Sequence, residues 1–198
     1  MTQPTLSDPV IPAAQRQAKY QVRFDWAVEG ARAVAADADV IVWVDALADE
    51  SAPAPELPGD GAVLAAGFTD ASAVASWILE EQVRLGRRAM VALIAAGGST
   101  PGGAARFAVE DLLAAGAVVD GLATLGIDYA SPEAAAACAA FTGLRGAVAH
   151  LLTASVSGQE RVAAGAAAAD IAALGRLGTS DTVTVLRDPR QSGALASE

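Results

Sequence analysis

Two adjacent carboxylates, Glu110 and Asp111, sit near the start of a helical stretch that follows an apolar strand and the glycine pair Gly97-Gly98. Ligands of open α/β sheets bind just beyond the carboxyl ends of such strands. A third carboxylate, Asp45, ends the apolar run Val40-Ile-Val-Trp-Val44. Carboxylate oxygens at a strand end suit Mg2+, which prefers oxygen and keeps waters for substrate phosphate. An aspartate there equally serves to cap the following turn. Glu110 and Asp111 diverge by about 100° on a regular helix. One of them therefore serves a site and the other faces water, unless the helix start bends. Acids are also favourable in a first turn without any ligand.

Anion recognition has three candidates. The loop Gly97-Gly98-Ser99-Thr100-Pro101-Gly102-Gly103 offers converging backbone N–H groups and two hydroxyls. No lysine follows it, and its spacing is not that of a dinucleotide fingerprint. The other reading is a flexible surface loop. Arg23 alternates with Val22 and Phe24 and shares a strand face with Asp25, as an edge ion pair or as a cation for an anionic substrate group. Arg161, at a helix start after Ser157-Gly158-Gln159, serves the same need. The planar guanidinium fork suits phosphate.

These residues need a scaffold, and the composition supplies one. Hydrophobic residues make up 53% of the 198 positions, enough for one core. A net charge of −10 argues against nucleic acid and against anionic membrane surfaces, since both need clustered Lys and Arg. It leaves a small anionic substrate open, because a few cations or a metal reverse the local field. Cys138 is the only cysteine, so intrachain disulfides and cysteine metal cages are excluded; it reads as a buried, inert thiol. His150 is the only histidine and reads as a helix-face residue. No run is expected to span a membrane, and residues 1–17 show no signal-peptide core, so the expected location is cytoplasmic.

The pattern predicts a flexible tail over 1–18, a single domain over 19–188 and a second tail over 189–198. Tyr20–Asp25, Asp39–Asp45, Ala62–Ala66, Ala89–Ala96 and Asp181–Leu186 read as strands. Helices are expected over Val28–Ala38, from Thr69 or Asp70 to Leu85, and from Glu110 to Gly121. Four more follow between Ser131 and Arg176, the first capped by Ser131 with Pro132 in its first turn. Residues 48–61, with three prolines, read as a linker. Strands alternating with helices imply a three-layer α/β/α fold with a mostly parallel sheet and a helical C-terminal part.

Several blocks, in order, resemble the 2-phosphosulfolactate phosphatases. They are Gln21–Trp26, Val40–Leu47, Gly67-Phe-Thr-Asp-Ala-Ser-Ala-Val74, Phe107-Ala-Val-Glu-Asp-Leu-Leu-Ala-Ala-Gly-Ala-Val118 and Ala154-Ser-Val-Ser-Gly-Gln-Glu-Arg161. The stretch Phe107–Val118, around Glu110, is the best match, where the family shows an E-D-x-x-x-A-G-A pattern. The resemblance implies a Mg2+-dependent hydrolase of a small phosphorylated organic acid, phosphosulfolactate in coenzyme M biosynthesis. It implies catalytic roles for Asp45, Glu110 and Asp111, with Asp45 and Glu110 on the metal. After Asp45 the chain departs from the family: Ala48-Asp-Glu-Ser-Ala-Pro replaces a Thr-rich segment, and the family's middle segment is missing. That departure carries the alternative, a catalytically degenerate member that binds a ligand or a partner protein. The shortened middle also predicts a homodimer covering the exposed edge or crevice.

Overall fold

Continuous apolar runs of β-branched and small residues form the centre of one sheet, because only a strand covered on both faces can bury every side chain. The computed structural model describes residues 11–49 and 55–192. In chain order the strands are β1 (Val22–Trp26), β2 (Val40–Val44), β3 (Ala62–Ala66), β4 (Val91–Ala95), the short β5 (Gly98–Ser99) and β6 (Ala105–Arg106), and β7 (Thr184–Arg187). The helices are α1 (Ala27–Val34), α2 (Ala71–Leu85), α3 (Val109–Thr124), α4 (Pro132–Leu144), α5 (Val148–Ala154), α6 (Val156–Ala163), α7 (Ala168–Leu174) and α8 (Pro189–Ser192).

The five-stranded sheet has the order β1-β4-β2-β3-β7. Its first four strands are parallel and β7 is antiparallel to β3. Side chains alternate between two cores. Val40, Val42, Leu64, Val91 and Leu93 face α2, α3 and α4, whereas Ile41, Val63, Ala92 and Ile94 face α1. Each fully buried Val, Leu or Ile contributes about 1.5–3 kcal/mol. The expected three-layer α/β/α arrangement with a mostly parallel sheet is what the chain adopts, and its C-terminal part is helical, α4 to α7 in succession.

The sheet order creates the crevice. The chain leaves β2 toward β3 on one side and leaves β4 toward α3 by way of the ribbon β5–β6. The carboxyl ends of β2 and β4, which are direct neighbours, therefore open outward between diverging connections. At one edge the antiparallel β7 covers β3 and is itself the exposed edge strand. Outside β1, the Gln17 amide both donates to Phe24 O (2.8 Å) and accepts from Phe24 N–H (3.1 Å). Ser131 N–H donates to Val22 O further along the same edge.

Local signals explain most boundaries. Ser131 Oγ accepts from Ala134 N–H at 3.1 Å, as the Ser-Pro start predicts. Ser155 Oγ does the same for Gly158 N–H at 3.0 Å and so fixes the start of α6. Asp70 takes the cap position of α2 but its carboxylate accepts from Gly67 N–H instead, tightening the turn before the helix. Of the expected tails and linker, residues 1–10, 50–54 and 193–198 lie outside the described residues. Within the linker stretch, Leu57 is buried in the α1 core and its carbonyl accepts from Arg187.

The membrane expectation needs one correction. α4, the 3-10 turn Arg145–Ala147 and α5 run together, and Pro132–Ala154 is long and apolar enough to cross a membrane by length and composition. Alanine produces that composition. In the fold, Ala134, Ala137, Phe141, Val148 and Leu152 of this run are buried. Cys138 is partly rather than fully buried, and His150 is exposed on α5.

Candidate active site

The site forms where β2 and β4 end. Ala96 N–H donates to Val44 O at 2.9 Å, which carries the pairing of these strands to their last residues. Beyond that point the backbone N–H groups of Ala46 and Gly97 have no strand partner. Asp111, on the first turn of α3, meets both: Oδ1 accepts from Ala46 N–H and Oδ2 from Gly97 N–H, each at 2.9 Å. Gly97 has φ +70, a conformation that glycine adopts without strain. One carboxylate thus ties two strand ends to a helix.

Around this tie lies an open cleft of about 360 Å3. The strand ends supply Asp45, Leu47 and Gly97, α3 supplies Glu110 and Asp111, and α6 supplies Ser157, Glu160 and Arg161. Asp45 is half-buried; its Oδ1 accepts from Leu47 N–H at 3.1 Å. Glu110 is only 2% exposed and its Oε2 is buried with no hydrogen-bond partner. Arg161 donates to Leu47 O beside Asp45. Arg106, at the end of β6, reaches the same helix: Nη2 donates to Ser157 Oγ at 3.0 Å and lies 3.9 Å from Glu160. Its Nε is buried and unpartnered. Gly98 carries no side chain where the Arg106 guanidinium lies, and a Cβ there would sit 2.7 Å from Cζ.

Burial pushes the Asp111 carboxyl up to about 7, with the charges of Asp45 and Glu110 acting in the same direction; the two backbone N–H groups oppose them. Asp45 is also raised, chiefly by burial and further by Glu110, against the Leu47 N–H and Arg161. A carboxyl raised in the folded state favours folding most below its unfolded pKa, near 3.8, and loses that contribution as pH rises to about 7. Asp111→Asn removes this titration. Urea unfolding at pH 5 and pH 8 is expected to show the variant gaining about 2 kcal/mol relative to the parent at the higher pH. An equal difference at both pH values would contradict the assignment.

The structure brings Asp45, Gly97, Glu110, Asp111 and Arg161 to one cleft. It departs from the sequence expectation in three places. Glu110 and Asp111 both face the cleft, because it extends from the strand ends to α6 and takes in neighbouring positions of the first turn. Arg23 is not at the cleft. It is 0% exposed and donates to Asp37, Val34 O, Tyr20 O and Ala18 O on the α1 side of the sheet. A fully engaged guanidinium there holds the segment before β1 onto the domain. Gly98, Ser99 and Thr100 form a closed ribbon rather than an anion cradle. Thr100 N–H donates to Ala104 O, Gly103 N–H to Thr100 O and Ala104 N–H to Thr100 Oγ1, so these donors are spent internally. Arg106, Ser157 and Glu160 are additions that the sequence reading did not select. The one signal for Arg106 was its place just ahead of the Glu110–Asp111 pair.

Among the described residues, no three His, Cys, Asp or Glu side chains are arranged to hold a metal ion by themselves. Mg2+ commonly takes only one or two carboxylates, with waters and phosphate completing its shell. Asp45 and the buried, unpartnered Glu110 Oε2 fit that smaller requirement.

A comparison with curated proteins finds no match to this chain. The family model described as 2-phosphosulpholactate phosphatase matches residues 56–189, more than half of the sequence. The matched span includes Arg106, Glu110, Asp111 and Arg161 but begins after Asp45, which is tied to the site by geometry instead. With its parallel sheet, its cleft at the strand ends and this match, the chain belongs to the 2-phosphosulpholactate phosphatase family.

Proposed function

We propose that the chain hydrolyses a small anionic phosphate monoester in the cleft, with Mg2+ held by Asp45 and Glu110. The observation that carries this reading is the meeting of Asp45 with Glu110 and Asp111 from distant parts of the chain, with Glu110 buried and lacking a partner. When bound, Mg2+ would neutralise charge on the phosphate oxygens. Arg161, which lines the cleft beside Asp45, offers a guanidinium donor to the same phosphate or to a second anionic group. Asp111 holds the N–H groups of Ala46 and Gly97 in place. It also lines the cleft next to Glu110, which makes it the carboxylate left to accept the proton of the attacking water.

Phosphate release from 2-phosphosulfolactate and from simple phosphate monoesters, with and without Mg2+, tests the reading. Turnover is expected only with the ion, and Asp45→Asn is expected to lower it by about 100-fold or more. Metal-independent turnover, or no turnover by folded protein, would refute it. The second outcome would favour the degenerate, ligand-binding alternative, which draws on the incomplete carboxylate set at the cleft.

A further inference from the structure

Beside the acidic cleft lies a second compartment of different chemistry. Trp26, Ala27, Ala96, Ala105 and Phe107 line an open apolar hollow of about 180 Å3. Gly97 lines both this hollow and the cleft, and Arg106 lines the hollow while bonding Ser157 of the cleft. Trp26 and Phe107 pack with ring centroids 5.2 Å apart, yet Phe107 remains 59% exposed. Ala27 has φ +54, a strained conformation for a residue with a side chain. A Cβ on Gly97 would lie 3.6 Å from the Trp26 ring, so a side chain there would stand at the junction. Cavities of about 150 Å3 lined by apolar side chains admit benzene.

From these features we infer that the compartment receives an apolar, ring-sized part of the substrate while its phosphate sits in the cleft. The substrate class is then a phosphate monoester whose alcohol carries a small aromatic ring. The inference rests on the proposed function only for where the anionic group binds. Arg106 joins the two halves: Nη2 donates to Ser157 Oγ at the cleft, Nη1 donates to Phe107 O, and the residue lines the apolar hollow.

Calorimetric titration with benzylphosphonate and methylphosphonate, non-hydrolysable and differing only in the ring, tests this with Mg2+ present. The benzyl ligand is expected to bind about tenfold tighter or more. Ala105→Leu, at an exposed ribbon position, fills the compartment; Phe107→Ser removes one wall. Each is expected to erase the difference and leave methylphosphonate binding unchanged. Equal affinities in the parent protein would overturn the inference and leave the phosphatase reading standing. Preferential benzyl binding without any phosphate release from ethyl or benzyl phosphate would sink the phosphatase reading, and with it the substrate class, while upholding the hollow as a ring-binding site. No binding of either ligand would overturn both. Benzylphosphonate affinity that falls as protein concentration rises would assign the compartment to a second copy of the chain and overturn the inference too.

Discussion

Glu110→Gln is expected to reduce Mg2+-dependent phosphate release by about 100-fold or more while leaving the protein at least as stable. Glu110 is nearly inaccessible, and one of its oxygens makes no hydrogen bond. Burying an unpaired polar or charged atom is costly, so a side chain kept there for stability alone would have a partner. Glutamine keeps the shape and removes the charge. A structural role predicts a lower melting temperature in the variant; a ligand role predicts lost activity with the melting temperature unchanged or raised. Steady-state kinetics and thermal unfolding on the same preparations separate the two.

Gly116→Ala is expected to destabilise the fold by about 3 kcal/mol or more, because the added carbon meets backbone as well as side chain. α3 and α4 pack closely at this point, where Gly116 meets the backbone of α4. A Cβ on Gly116 would overlap Ala137 O and lie 2.7 Å from both Ala137 C and Phe141 Cβ. Neither partner gives easily, since Ala137 and Phe141 are themselves buried against the same core. Any separation of α3 also moves Glu110 and Asp111, which sit one helix turn or more ahead on the same rod. Gly143, near the end of α4, has open space around it and serves as the control. There alanine is expected to stabilise by up to about 1 kcal/mol through helix propensity. Chemical denaturation of the two variants checks both signs.

Apolar periodicity made the sheet readable. Val91–Ala95 is buried along its length and Val40–Val44 at every position but Trp43, because they are central strands, and central strands have no polar face to mask the signal. The helix start at Ser131 was legible from its Ser-Pro cap, whereas α3 begins without a side-chain cap. The placement of Asp45 and Glu110 at one cleft was legible in part, from strand ends and from the family's E-D pattern. Arg23 was misleading because alternation assigns a face without saying which layer covers it; α1 and Asp37 cover it here. The glycine loop was misleading because glycines allow both a cradle and a tight ribbon. The Thr100 hydroxyl and the Ala104 carbonyl decide for the ribbon. Arg106 and the Ser157–Glu160 pair met through tertiary packing of α6, which no spacing in the chain encodes.

The most direct measurement is divalent-ion binding itself, by calorimetric titration of the purified protein with Mg2+ and, in parallel, Mn2+. One ion per chain is expected for the parent, with binding lost or strongly weakened in both Asp45→Asn and Glu110→Gln. Absence of binding to the folded parent protein, or equal binding by all three proteins, would contradict the assignment of these carboxylates.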